Sequence, residues 1–215
     1  MTEHLLSGVL FAAGLVVFCW DQYRLSAARY ELAALHRATR RDPLTGLANR
    51  AGLAQAWEQL SPLRPWLVVV DLDGFKPVND THGHAAGDHV LTTVASRLRT
   101  VHGVAARLGG DEFAALLLDP NSATAARQLA AAIAAPVRLP SGVSVSVAAS
   151  IGLAPASPAG LAAALSDADA AMYRAKTTRA GVAVFDPHRD DHATADTRPT
   201  VRVRDLAPAT AEVGR

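Results

Sequence analysis

Three carboxylates stand where the chain is otherwise apolar or glycine-rich. Asp71 follows the run Leu67 to Val70, and Asp111 and Glu112 follow Gly109 and Gly110 in the stretch RLGGDEF. A charged residue closing an apolar run should emerge at the end of a sheet. If the strands are neighbours, Asp71 and the acidic pair converge. Clustered carboxylates repel one another unless a cation joins them. Hard oxygen ligands suit Mg2+ or Mn2+, which also take phosphate oxygens. Two such ions, about 4 Å apart, activate a hydroxyl and steady a leaving group in line. The same carboxylates would also serve as solvated loop ends, and residue type alone leaves both readings open.

The stretch DLDGFKPVNDTHGHAAGD adds polar groups of another kind. Lys76 is expected on a turn made by Gly74 and Pro77, where a mobile point charge can meet phosphate. Asn79 and Asp88 bracket a glycine-rich turn and a helix start. A carboxylate accepts from guanine's ring N–H and amino group, and an amide both donates and accepts. Taken alone, the two residues fit turn and cap roles as well. His82, His84 and His89 have neither the spacing nor the cysteines of a zinc site. Cations are arginines almost everywhere: of 21 basic residues, only Lys76 and Lys176 are lysines.

These groups need elements to hold them. DPLTGLANR reads as a turn opening a helix with Leu53, Trp57 and Leu60 on its apolar side. PWLVVVDLD reads as a buried strand. Val90, Leu91, Val94, Leu98 and Val101 mark one helical face. VAARL and FAALLL flank the glycine pair as a β-hairpin. A helix is expected from Ala123 to Ala135, ended by Pro136. VSVSVAASIGLA is read as one strand and GVAVF as the last. Ser166 with Asp169 is a capping-box pattern for the helix ending near Lys176. Strands alternating with helices, plus a hairpin, predict helices on a mixed sheet in a split βαβ pattern, an α+β fold.

Residues 5–20 carry no charge, and as a helix they span about 24 Å against a hydrocarbon core of roughly 30 Å. Arginines follow this stretch, so a single-pass anchor in the cytoplasmic (inner) membrane, spanning 1–21, is expected to leave the rest in the cytoplasm. Leu25, Ala28, Leu32, Leu35 and Thr39 step by three and four, the seam of a short coiled coil over 22–41. The globular domain is expected over 42–186 and a disordered tail over 187–215. The net charge of +1 implies no broad basic face for nucleic acid. The single cysteine, Cys19, allows no intrachain disulfide.

RDPLTGLANR, VDLDGFKPVNDTHGHAAGD, RLGGDEF and AAMYRAK, in this order, resemble the signatures of GGDEF-domain diguanylate cyclases. The resemblance covers residues 42 to about 185. It implies the palm fold of nucleotidyl cyclases and polymerases, and a reaction joining two GTP into cyclic di-GMP with loss of two pyrophosphates. It further implies two Mg2+ or Mn2+ per site, and a homodimer in which each domain brings one GTP. By the resemblance, Asp71 and the backbone carbonyl of Leu72 are metal ligands. Asp111 binds metal and activates the 3′-hydroxyl, and Glu112 lies near the metals. Gly109 and Gly110 let nucleotide approach the backbone. Asn79 and Asp88 read guanine, and Lys76 and Lys176 hold phosphate.

Two departures stand out. The inhibitory product site of many members, R-x-x-D, is replaced here by Thr100 and Gly103, with Arg99 one residue out of register. After Lys176 the family's usual arginine position holds Ala180, which implies either a lower phosphate affinity or Arg179, beside it, as a substitute phosphate ligand. The rival from another class is a catalytically silent module that binds GTP or cyclic di-GMP and signals by contact. A cyclase of different base specificity is disfavoured by Asp88.

Overall fold

The computed structural model describes residues 18–20, 22–25 and 40–190. The chain divides between Thr39 and Arg40 into two units. In the first, 18–20 and 22–25 are helical, and the Trp20 and Tyr23 rings lie 6.1 Å apart. No helix among the described residues is long and apolar enough to cross a membrane. Most of the expected anchor and linker helix, and the tail beyond 190, lie outside the described residues.

The second unit is built on a five-stranded sheet of order β2-β3-β1-β6-β7. In chain order it contains α1 (Arg50–Leu60), β1 (Trp66–Asp73), α2 (Phe75–His82), α3 (His84–Leu98), β2 (Gly103–Gly109) and β3 (Glu112–Leu117). Then follow α4 (Ser122–Ala134), β4 (Val137–Arg138), β5 (Ser144–Val145), β6 (Ala148–Pro155), α5 (Leu161–Thr178) and β7 (Val182–Val184). β1 is central and antiparallel to β3 and β6, whereas β7 runs parallel to β6. The sheet is therefore mixed, as expected.

Both faces of β1 are covered, which explains its unbroken apolar run. Alternation sends Val68, Val70 and Leu72 into a core with Val90, Val94, Leu98 and Ile133 from α3 and α4. Leu67 and Val69 enter the other core, with Leu53 and Trp57 of α1 and Ala168 and Met172 of α5. The same parity continues past the apolar run, so Asp71 and Asp73 belong to the α1/α5 side.

Helix ends follow local chemistry. The Asn49 side chain accepts from Gly52 N at 3.0 Å and caps α1. Asn121 caps α4, and at the other end Arg97 donates to the carbonyls of Ile133 in the last turn and of Ala135 and Pro136 just past it.

Four expectations change. The expected strand from Val143 to Ala154 is two strands: β5 pairs with β4 in a side hairpin, and only β6 enters the main sheet. Ser166 is not a cap, because α5 starts at Leu161 after Gly160. Apolar residues at 161, 164, 165 and 168 let the helix start earlier. Lys76 lies not on a turn but in the first turn of α2, and Asn79 and Asp88 are also helical. The boundary drawn at 186 falls at a turn: Asp190 is buried, paired with Arg174 at 2.5 Å, and accepts from Asp186 N at 2.7 Å.

Candidate active site

Strand register brings the first two carboxylates together. Asp71 of β1 stands directly opposite Glu112 of β3, and both side chains lie on the α1/α5 side. Between β2 and β3 the chain turns at Gly109, φ 150°, and Gly110, φ 50°. A side chain resists both conformations, so glycine makes the turn possible. The space above both glycines is open. The turn is tied to β1 by the Leu72 N–H, which donates to Asp111 O at 3.3 Å.

α5 supplies a cation. The Lys176 ammonium donates to Asp71 Oδ2 and lies 3.6 Å from Asp73 Oδ1. Asp73 is a site residue that the sequence reading missed. Its Oδ2 accepts from the buried Ser150 hydroxyl at 2.7 Å. The i, i+2 step from Asp71 on a strand was the signal that could have found it.

The acidic pair is electrostatically loaded. Burial, and then the neighbouring Asp71, push the Glu112 carboxyl up to about 7, against the opposing charge of Arg50. Asp111 is also raised, by burial first and by Asp71, while Lys176 and Arg107 act the other way. Arg50 Nε donates to Leu108 O at 2.8 Å, bracing the strand that enters the turn.

Arg107 braces the turn from the other side. Its Nε and Nη2 donate to Gly110 O at 3.0 and 2.8 Å, and its Nη1 reaches both Asp42 oxygens at 3.2 Å. Asp42 also accepts from Thr45 N and Oγ1 at 2.8 and 2.6 Å. Burial works against it, but the Thr45 hydrogen bonds and Arg107 hold this carboxyl below its ordinary range.

Lys76, Asn79 and Asp88 form a second group, on the α2–α3 pair that directly follows β1. Lys76 and Asp88 are exposed, and Asn79 is half-buried. The Asn79 amide lies against Gly87 of α3. Arg179 ends α5 in the left-handed conformation, φ 55°, and is exposed.

The expected product-site positions are structural here. Thr100 Oγ1 donates to Arg97 O at 2.7 Å. Gly103 opens β2 with φ 147°, and a Cβ on it would lie 1.8 Å from Leu116 O. Arg99 does not stand in for the missing arginine, because its guanidinium donates to Thr45 O.

The donors fit a hard divalent cation by chemistry. Asp71, Asp111 and Glu112 offer only oxygen, two of them carry raised pKa values, and an ammonium already stands on the third as a substitute cation. As the side chains lie, no three acidic or histidine groups among the described residues are gathered closely enough to hold an ion.

This arrangement has relatives. The family model described as "Diguanylate cyclase, GGDEF domain" matches residues 39–181. The chain belongs to this family. It is 43% identical over 166 residues to the diguanylate cyclase TpbB of Pseudomonas aeruginosa, covering 70% of this chain and 38% of that protein. It is 41% identical over 174 residues to the diguanylate cyclase DgcN of Escherichia coli, covering 74% of this chain and 41% of that one. This GGDEF chain thus spans well under half the length of either relative. The crystal structure of the coiled coil and GGDEF domain of DgcB from Caulobacter crescentus, in complex with c-di-GMP, superposes with a TM-score of 0.66 at 29% identity. That match covers 76% of this chain and 95% of the other.

Proposed function

We propose that this GGDEF chain is an active diguanylate cyclase that condenses two GTP into cyclic di-GMP and two pyrophosphates. The observation that carries the reading is the cross-strand pair Asp71 and Glu112, with Asp111 on the open glycine turn beside it.

Asn79 and Asp88 read guanine, and Lys76 and Lys176 hold the phosphates, with Arg179 adding a cation at the end of α5. Gly109 and Gly110 let the nucleotide approach the backbone. The 3′-hydroxyl of one GTP attacks the α-phosphorus of the other. An O3′–P bond forms, the bond to the β-phosphate oxygen breaks, and pyrophosphate leaves. Asp111 takes the hydroxyl proton, and burial, which raises its carboxyl above the ordinary range, makes it a stronger base than a solvated carboxylate. Two Mg2+ or Mn2+ ions held by Asp71, the Leu72 carbonyl, Asp111 and Glu112 would neutralise charge on the phosphates and the leaving group.

Each domain binds one GTP, so two chains must face each other as a homodimer. The three-and-four spacing of Leu25, Ala28, Leu32, Leu35 and Thr39 supports this, because a coiled coil formed on it would raise the local concentration of the partner domain. The apolar run 5–20, with arginines after it, supports a single-pass anchor in the cytoplasmic membrane with the catalytic domain inside.

The test incubates the full chain with GTP and Mg2+ over a range of protein concentrations and measures cyclic di-GMP and pyrophosphate. The expected specific activity rises with concentration. No product at any concentration, with GTP still bound, would overturn the cyclase reading and leave the silent binding module.

A further inference from the structure

Gly87 has no conformational reason to be glycine. It is the fourth residue of α3 and buried, and its φ is not positive. In a helix interior, alanine is favoured over glycine. The reason is space. A Cβ on Gly87 would lie 1.9 Å from Asn79 Oδ1, 2.9 Å from Asn79 Cγ and 3.2 Å from Phe75 Cζ.

The geometry follows from the joint between the helices. Gly83 ends α2 and begins α3. Asn79 lies one turn before this joint and Gly87 one turn after it, so the two meet where the helices fold back. Phe75 lies a turn before Asn79 on the same face of α2 and forms the second wall. The Asn79 amide thus rests in a seat made by Phe75 and the bare backbone of Gly87. No hydrogen bond from its side chain forms among the described residues, which leaves its polar capacity for a ligand. Asp88, adjacent in sequence, presents an exposed carboxylate.

We propose that Gly87 is a specificity-determining residue: its missing side chain seats the Asn79 amide, next to Asp88, to read a guanine edge. This rests on the GTP-binding role proposed above. A methyl at position 87 must evict something. The backbone of α3 is held by its own ladder, and Phe75 is packed in the core, so the freely ending Asn79 amide moves. The fold survives while the base reader is displaced.

The experiment measures GTP and ATP binding to the full chain by calorimetry, for wild type, Gly87→Ala, Asn79→Ala and the double variant. Gly87→Ala is expected to weaken GTP at least about tenfold, to narrow the preference for GTP over ATP, and to melt no lower than wild type. In the Asn79→Ala background the same change is expected to cost less than about twofold, because the displaced group is gone. A Gly87→Ala chain that binds GTP like wild type overturns the proposal, as does an equal loss in both backgrounds. If Gly87→Ala melts early, the double variant decides: recovery of the melting point supports the seat, and no recovery overturns it. A wild type that binds no GTP overturns the cyclase reading and this inference with it. A wild type that binds GTP beside an indifferent Gly87→Ala overturns this inference alone.

Discussion

The Lys176 ammonium rests on the Asp71 carboxylate, joining α5 to β1 across 105 residues of sequence. Asp71 faces α5 because strand parity puts it on the side of Val69, and α5 packs there through Ala168 and Met172. The contact sets a positive charge beside a carboxylate that raises both Asp111 and Glu112, and Lys176 itself works against the rise at Asp111.

Replacing this lysine should therefore act twice. Lys176→Met is expected to lower kcat/KM for GTP by roughly 10–100-fold, the worth of a charge-assisted hydrogen bond of about 1.5–3 kcal/mol. It should also push Asp111 further up, since Lys176 is one of the groups holding it down. Steady-state kinetics and a carboxylate titration by NMR check the two effects separately.

The pH dependence of stability has a defined sign. The folded Glu112 carboxyl titrates at about 7 against an ordinary 4.5. Between these values the folded state binds more protons than the unfolded one, so stability falls as pH rises from 4.5 to 7. Metal-free protein is expected to melt higher near pH 5 than near pH 7.5, with Glu112→Gln flattening the slope. Excess Mg2+ should also flatten it, with proton release on binding near pH 7. Melting curves across pH, with and without Mg2+, give the readout. A melting point that rises towards pH 7.5 in metal-free protein would contradict the burial of Glu112.

Arg107 holds Asp42 and Gly110 O with one guanidinium fork. Lysine keeps the charge but cannot make both contacts. Arg107→Lys is expected to cost about 1–3 kcal/mol in chemical denaturation. It should also lower kcat more than melting alone explains, because the turn carrying Asp111 loosens. Asp42→Asn should reproduce the stability loss with a smaller effect on turnover.

Restoring the inhibitory pair by substitution is expected to fail. Thr100→Arg should be tolerated at the exposed end of α3. Gly103→Asp should destabilise by about 1–3 kcal/mol or more, because its Cβ meets the Leu116 backbone oxygen rather than a side chain that can move. The double variant is expected to show no gain in product inhibition, measured as initial rate against added cyclic di-GMP.

Much of the sheet is legible in the sequence. The apolar run of β1, the hairpin around Gly109 and Gly110, and β7 each carry a local pattern of apolar residues and turn chemistry. α4 was legible from its alanine-rich run and Pro136. The start of α5 was not, because Ser166 imitates a cap while the packing of Leu161, Ala164 and Leu165 extends the helix beyond it. The β5–β6 break was not legible either. Alternation is identical whether a strand pairs in a side hairpin or in the main sheet, and only the partner differs.

The sequence by itself determined the family, through ordered motifs, and named Asp71, Asp111, Glu112, Lys76, Asn79, Asp88 and Lys176 as candidates. It could do so because residue type and spacing along the chain are local properties. Tertiary structure alone decided that Asp71 faces Glu112 and carries Lys176, that Asp73 is held by Ser150, and that Arg107 joins Asp42 to the glycine turn. It also decided that Gly87 is bare because Asn79 lies on it, and that Gly103 is bare because Leu116 does. These relationships depend on strand register, face parity and the close approach of distant backbones, which are set only when the whole core packs at once.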